Sequence, residues 1–229
     1  MCGRYSLTSK GREIAEAFGR AEEPEIEARY NIGPGQMVPI VRTADEVSGA
    51  RQCMTLQWGC QRDAPKGGMI INARSETALE RQAFSDSVKR RRCLVPASGF
   101  FEWRRQGAAR APYNLTREHH GLFAMAGIWS WWPDGKGRNV ESMVILTTHP
   151  NSLVSPIHDR MPVILARDLY ETWLSPAELD AEKIAAITQP LAADLMAKTP
   201  VSTRVNSVAN DDPAILAPVE EPPEQLGLF

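Results

Sequence analysis

The chain has 229 residues, 43% of them hydrophobic, which suits one compact domain with a substantial core, and its formal net charge is only -2. That balance excludes overall basicity as a route to nucleic acid, so any such site must be a local patch. No apolar run has the length of a membrane span and the first residues lack the basic-then-apolar order of a signal peptide, so a cytoplasmic protein without membrane contact is expected.

The chain opens Met1-Cys2-Gly3-Arg4. Cys2 is small enough for an aminopeptidase to remove Met1, which would leave an α-amine and a thiol on one residue. The amine titrates near about 8 and the thiol near about 8.5, so both are partly nucleophilic at neutral pH. Such a pair condenses with an aldehyde: the amine forms an imine, the sulfur closes on it, and a five-membered thiazolidine results. The plain alternative is an incidental second residue. Cys53, Cys60 and Cys93 form no CxxC pair with it or one another, which argues against a disulfide framework or a zinc ribbon, and no cofactor or metal is expected.

From Ser9 to Phe18 a cap residue followed by Ile14 and Phe18 one turn apart predicts a short amphipathic helix. Arg29 to Gly35 contains Gly33-Pro34-Gly35 and reads as a fixed loop. Val38–Arg42 and Cys53–Trp58 read as strands, and Met69-Ile70-Ile71 as an apolar strand ending in Asn72-Ala73-Arg74. Ser75 would cap a helix whose charged face runs into Lys89-Arg90-Arg91-Arg92. Strands are then expected at Cys93–Pro96 and Gly99–Trp103 around a turn, at Tyr113–Leu115, Leu122–Trp132 and Ser142–Thr148, and at Met161–Leu165 after an irregular Pro150–Ile157. Three short helices should follow, one capped by Asp168, one begun by Ser175-Pro176 and one near Pro190–Ala197. Strands without regular helix alternation predict an α+β domain over residues 1–217, with a mostly antiparallel sheet curled toward a barrel and flanked by short helices. From Pro218 the composition turns to Pro and Glu, which predicts a disordered tail over 218–229.

Some polar residues stand out. Glu102 lies in Phe100-Phe101-Glu102-Trp103; it is either the solvent side of an alternating strand or a carboxyl whose pKa apolar neighbours raise toward proton-transfer range. His158, in Ile157-His158-Asp159-Arg160, is either a loop hydrogen-bonding group or a proton shuttle. His119-His120 reads as surface, with no further metal ligands in view. Asn72 and Arg74 fit a turn and an ion pair, or a donor pair for a ligand, and Arg74 and Arg160 suit phosphates.

The segments Met1–Arg4, Tyr30–Pro34, Ile71–Thr77, Arg92–Pro96, Gly99–Trp103 and Ile157–Pro162 together resemble the SOS-response-associated peptidase family, the abasic-site processing proteins, from Cys2 to about Asn210. The resemblance implies a protein that crosslinks itself through its N-terminal cysteine to abasic sites in single-stranded DNA, with peptidase chemistry confined to the residue ahead of Cys2 and lyase-like cleavage as an accompaniment. It implies that Glu102 handles the proton on the sugar ring oxygen, that Asn72 holds the N-terminal residue, and that His158 stabilises the imine and assists reversal. Arg4, Arg74 and Arg160 would hold phosphates, and Trp58 would stack a base or wedge apart a duplex end. A monomer is expected. A glutamine amidotransferase that uses an N-terminal cysteine and a non-catalytic single-strand-binding module are the competing classes, although the downstream Arg-Gly-Pro-Asp motif of the former is absent from the sequence.

The chain ends in Gln225-Leu226-Gly227-Leu228-Phe229. These residues either pack back on the domain, dangle, or act as a recruitment peptide, since they resemble the Gln-Leu-x-Leu-Phe segment that bacterial repair proteins insert into the sliding clamp.

Overall fold

The computed structural model describes residues 2–19, 24–44, 49–61, 68–107, 109–134 and 138–221. The strands in chain order are β1 (Tyr5–Leu7), β2 (Arg29–Ile32), β3 (Met37–Thr43), β4 (Arg51–Trp58), β5 (Asn72–Arg74), β6 (Arg92–Ala97), β7 (Gly99–Gln106), β8 (Ala109–Arg117), β9 (Phe123–Pro133), β10 (Asn139–Thr148), β11 (Met161–Pro162), β12 (Ile164–Leu165) and β13 (Met196–Pro200). The helices are α1 (Gly11–Ala17), α2 (Ser75–Ala78), α3 (Ser85–Arg90), α4 (Tyr170–Leu174) and α5 (Ala181–Ile187). No helix among the described residues is long and apolar enough to cross a membrane.

Two sheets carry the fold. In one, β4, β3, β6, β9 and β10 neighbour one another in that order and β10 returns to the end of β4, closing a barrel. The β10–β4 closure is parallel and the other barrel pairings are antiparallel. β5 adds to β10 in parallel, while β11 and β12 extend β10 and β9. The other sheet runs β13-β8-β7-β1-β2 and is antiparallel throughout. The expected α+β class with a curled, mostly antiparallel sheet is therefore observed.

The expected turn between β6 and β7 is the joint between these sheets. At Ser98 the chain leaves the barrel; its backbone N–H donates to Ser6 O at 2.8 Å, and its hydroxyl accepts from the Thr8 N–H at 2.9 Å. One continuous apolar cluster spans the seam, joining Tyr5, Phe100, Tyr113 and Leu115 of the five-stranded sheet to Val38, Trp58, Leu94 and Leu146 of the barrel. The far side of β7 is covered separately, by Phe101 packing with Val201, Val205 and Ile215 of the C-terminal segment.

Several local expectations are corrected. Arg29–Ile32 is a strand, not a loop, because distant groups hold it straight: the Asn31 amide donates to the carbonyls of Val205, Ser207 and Asn210 at 3.2, 2.9 and 2.7 Å, and Asp211 accepts from the Asn31 N–H at 2.9 Å. The helix expected from Ser75 breaks into α2 and α3. The basic run after it is not one solvated face, since Arg92 is only 4% exposed. Its guanidinium donates to the carbonyls of Trp173 and Val88 at 2.7 and 3.1 Å and also to Lys89, Ser175 and Ala177, capping two helix ends at once.

The strand expected at Met161–Leu165 divides at Val163, whose N–H donates to Leu146 O in one direction and whose carbonyl accepts from the Ala126 N–H in the other. Asp168 lies inside a 3₁₀ turn (Arg167–Leu169) leading into α4. The next helix starts five residues beyond Pro176, where Asp180 accepts from the Lys183 N–H at 2.8 Å and the register buries Ile184 and Ile187. The third expected helix is a 3₁₀ turn followed by β13, which satisfies the edge of β8. Residues 218–221, assigned by composition to the tail, are tied back: Val219 donates to Pro200 O at 3.0 Å, and Glu221 accepts from the Tyr113 hydroxyl at 3.0 Å. Gln225, Leu226, Leu228 and Phe229 lie outside the described residues.

Candidate active site

Cys2, Asn72, Glu102 and His158 come from separate parts of the chain and meet at the seam. β1 is the reason Cys2 is there: Tyr5 pairs with Phe100 of β7, and Arg4 O accepts from the Phe101 N–H at 2.9 Å, so the residues ahead of β1 run alongside β7. From the barrel side, β5 docks on β10 with Asn72 opposite Ile145, and the Asn72 amide donates to Cys2 O at 2.8 Å. One main-chain bond and one side-chain bond thus hold the start of the chain between two sheets.

Strand alternation decides which way Glu102 faces. Phe101 and Trp103 pack toward the C-terminal cover, so Phe100 and Glu102 point to the opposite face, into the seam. Glu102 is 2% exposed, which overturns the solvent-facing reading of an alternating strand. Burial pushes its carboxyl up to about 7, the positive amino terminus partly offsets this, and the nearby Asp159 adds to the rise. Cys2 is completely buried, and burial followed by the negative charge of Glu102 drives its thiol well above the ordinary range.

His158 enters from the turn before β11. Its Nε2 lies 3.9 Å from Glu102 Oε2, and its Nδ1 accepts from the Arg160 N–H at 3.0 Å and lies 2.9 Å from Asp159 Oδ1. Burial lowers its pKa, assisted by the positive amino terminus and Arg105 and opposed by Asp159, so the site favours the neutral imidazole. The seam therefore holds a carboxyl able to take or give a proton near neutrality, an imidazole beside it whose neutral form burial favours, and a thiol held toward its protonated form. Among the described residues no group of three His, Cys, Asp or Glu is placed to hold a metal ion.

The expected DNA contacts divide. Arg74 is exposed at the end of β5, immediately beyond Asn72 and Ala73. Arg4 is half-buried and partly committed to the fold, its guanidinium donating to Asn31 Oδ1 at 2.8 Å and to Val205 O at 2.7 Å. Two expectations are corrected. Trp58 is fully buried, its indole N–H donates to Ile71 O at 2.9 Å and its ring meets Tyr5 edge to face, so it presents no face on which a base could stack. Arg160 is 6% exposed and its two terminal nitrogens are held by Glu76 and Thr147 O, so it is not the free surface guanidinium expected of a phosphate contact.

Sequence reasoning missed Glu76 and Asp159 as parts of this arrangement. Glu76 stands two residues after Arg74 in the Asn72–Thr77 run, but only the fold shows that it reaches Arg160, 84 positions away. Asp159 was visible only as a neighbour of His158 in the chain.

A family model described as SOS response associated peptidase matches residues 1–208. The chain is 35% identical over 224 residues to the abasic site processing protein YoqW of Bacillus subtilis, covering 94% of this chain and 99% of that one. It is 31% identical to the abasic site processing protein HMCES of Gallus gallus, covering 96% of this chain and 78% of that one. The abasic site processing protein YedK of Escherichia coli is 30% identical, with 96% of this chain and 100% of that protein covered. Among solved structures, a protein from Bacteroides thetaiotaomicron superposes with a TM-score of 0.80 at 28% identity, covering 95% of this chain and 100% of that one.

Proposed function

Because the chain belongs to the SOS response associated peptidase family, we propose that it processes abasic sites in single-stranded DNA by bonding its own Cys2 to the lesion after removal of Met1. The carrying observation is the convergence of Cys2, Asn72, Glu102 and His158 on one buried seam. An abasic deoxyribose in its ring form hides an aldehyde. Glu102, half-protonated near pH 7, donates to the ring oxygen as the C1–O bond breaks, the C1 hydroxyl releases its proton to water, and the aldehyde appears. The Cys2 amine adds to the carbonyl carbon and water leaves, giving an imine. The thiol then adds across it: sulfur bonds to carbon, the S–H proton passes to nitrogen, and the thiazolidine forms with no net gain or loss of protons.

A protonated thiol suits that last step, because its proton is the one nitrogen needs. Asn72, an amide that does not titrate, orients Cys2 through its carbonyl. His158 stabilises the imine and assists reversal, and the lyase-like strand cleavage follows from the same imine. Peptidase chemistry is limited to removal of the residue ahead of Cys2. Arg74, exposed beside the site, contacts phosphate, and recognition is independent of sequence because an abasic lesion has no base edge to read.

The test is to mix the protein with uracil-glycosylase-treated single-stranded DNA and look for a band that survives denaturation. Wild type should give it, undamaged DNA and Cys2→Ala should not. Cys2→Ser should lose the stable band while borohydride still traps an imine. A denaturation-resistant band from Cys2→Ala would refute the reading, and binding without any band would leave a passive single-strand-binding module in its place. The Gln225–Phe229 segment adds a recruitment function in this proposal, engaging the bacterial sliding clamp. Clamp affinity should fall at least about tenfold, about 1.4 kcal/mol, when Leu228 and Phe229 become Ala, with crosslinking to naked DNA unchanged; an intact protein that does not bind the clamp ends that part.

A further inference from the structure

Glu76 has no part in the chemistry above, yet it is tied to it through one residue. In the first turn of α2, its two oxygens accept from both terminal nitrogens of Arg160, each at 2.8 Å, in a two-pronged pair. The same guanidinium donates to Thr147 O at 2.6 Å, on the strand that carries β5 on one side and β11 on the other. Burial raises the Glu76 carboxyl, but the Arg160 bonds outweigh it and hold it below the usual range, so the pair stays ionic. His149 Nε2, on the exposed side, lies 3.1 Å from the same carboxylate.

The Arg160 main chain faces the other way. Its N–H donates to His158 Nδ1 at 3.0 Å. A ring nitrogen that accepts from an amide N–H carries no proton itself, so the imidazole proton then sits on Nε2, the nitrogen 3.9 Å from Glu102. Asp159 Oδ1, 2.9 Å from the same Nδ1, asks for the opposite arrangement, because a carboxylate only accepts. Two neighbours thus compete for His158, one for each tautomer. Asp159 is 83% exposed and its pull is weakened by water, whereas the Arg160 N–H is anchored through a buried side chain.

We propose that Glu76 is a positioning residue for His158: by clamping Arg160 against Thr147 it fixes the Arg160 N–H on Nδ1 and selects the tautomer that presents Nε2–H to Glu102. Its relevance to catalysis rests on the crosslinking function proposed above, while the tautomer itself does not. The experiment has two arms. Imidazole nitrogen NMR on the full-length protein without DNA reads the His158 tautomer directly. Wild type should show the Nε2–H form as the main neutral species, and Glu76→Gln, which loses the ionic pair, should move population toward Nδ1–H. In single-turnover crosslinking, Glu76→Gln should slow adduct formation about tenfold with single-strand affinity unchanged, and Glu76→Asp, which keeps the charge, should recover most of the rate.

A wild-type spectrum dominated by Nδ1–H overturns the proposal without any variant, as does an unshifted tautomer ratio in folded Glu76→Gln. Should Glu76→Gln fail to fold, Glu76→Asp and the wild-type spectrum still decide. A wild type that shows the Nε2–H form yet makes no adduct would reject the crosslinking function and leave the positioning intact.

Discussion

The closed barrel and the seam beside it are made of similar strands and hold opposite contents. The barrel strands bury Ile40, Leu94, Val95, Met125, Ile128 and Leu146 completely. Gly127 lets them close: a Cβ there would stand 2.7 Å from Cys93 Sγ and 2.9 Å from Val95 Cγ2. Burial of these side chains works in favour of folding, at about 25 cal/mol per Å² of apolar surface. In the seam the apolar cluster is interrupted by buried Cys2, Glu102 and Arg160, and Asn72 Oδ1 is enclosed without a partner among the described residues. An unmet polar atom costs about 1–3 kcal/mol, and burial of Glu102 opposes its ionisation. The difference teaches that one region supplies stability and the other holds reactive groups in a state they would not adopt in water.

That division is open to breakage from both sides. The largest effect should come from the seam: Glu102→Gln keeps the shape and removes the titrating proton, so adduct formation should slow about 100-fold or more, with binding to undamaged single strands unchanged. Equal losses in both assays would make Glu102 an architectural residue and erase the contrast. From the barrel side, Leu94→Ala should cost about 2–5 kcal/mol in a denaturant or thermal melt, while the crosslinking rate of the remaining folded protein stays within about twofold. A rate loss larger than the unfolded fraction explains would show that the barrel sets the seam geometry more tightly than its apolar packing implies.

How much of this was legible in the chain differs between the two regions for the same reason. The barrel strands announce themselves, because Val38–Arg42, Cys53–Trp58, Leu122–Trp132 and Ser142–Thr148 carry local apolar pattern that matches β3, β4, β9 and β10 closely. The seam residues were legible as motifs and not as geometry. Glu102 in its aromatic bracket fits either face of a strand, and only the C-terminal cover over Phe101 decides which. Arg160 and Trp58 were misjudged as ligand contacts because an arginine and a tryptophan look alike in sequence whether exposed or sealed; Glu76, 84 positions distant, is what sealed the arginine. Arg29–Ile32 failed similarly, its loop-like composition being overruled by carbonyls near residue 205. Long-range hydrogen bonds are the part of a fold that local pattern does not carry.

The last expected effect separates stability from chemistry at a single residue. The Glu102 carboxyl titrates at about 7 in the folded protein, above the ordinary 4.5. Below about pH 4.5 it is protonated in both folded and unfolded chains, and its ionisation contributes nothing to the balance between them. As pH rises from there to about 7, the unfolded chain has released that proton while the folded chain still holds it, so stability falls; above about 7 the loss levels off. Glutamine has no such proton. Melts of wild type and Glu102→Gln should therefore diverge from pH 4 upward in favour of the variant and run parallel beyond about pH 8, with a plateau on the order of 3 kcal/mol. The variant that destroys the chemistry should thus be the more stable protein at neutral pH, which is the opposite of what any Leu94 truncation does. A constant offset across the pH range would mean that Glu102 titrates in the folded seam where it does in the unfolded chain and is ionised at neutral pH, and the general acid for ring opening would have to be sought elsewhere.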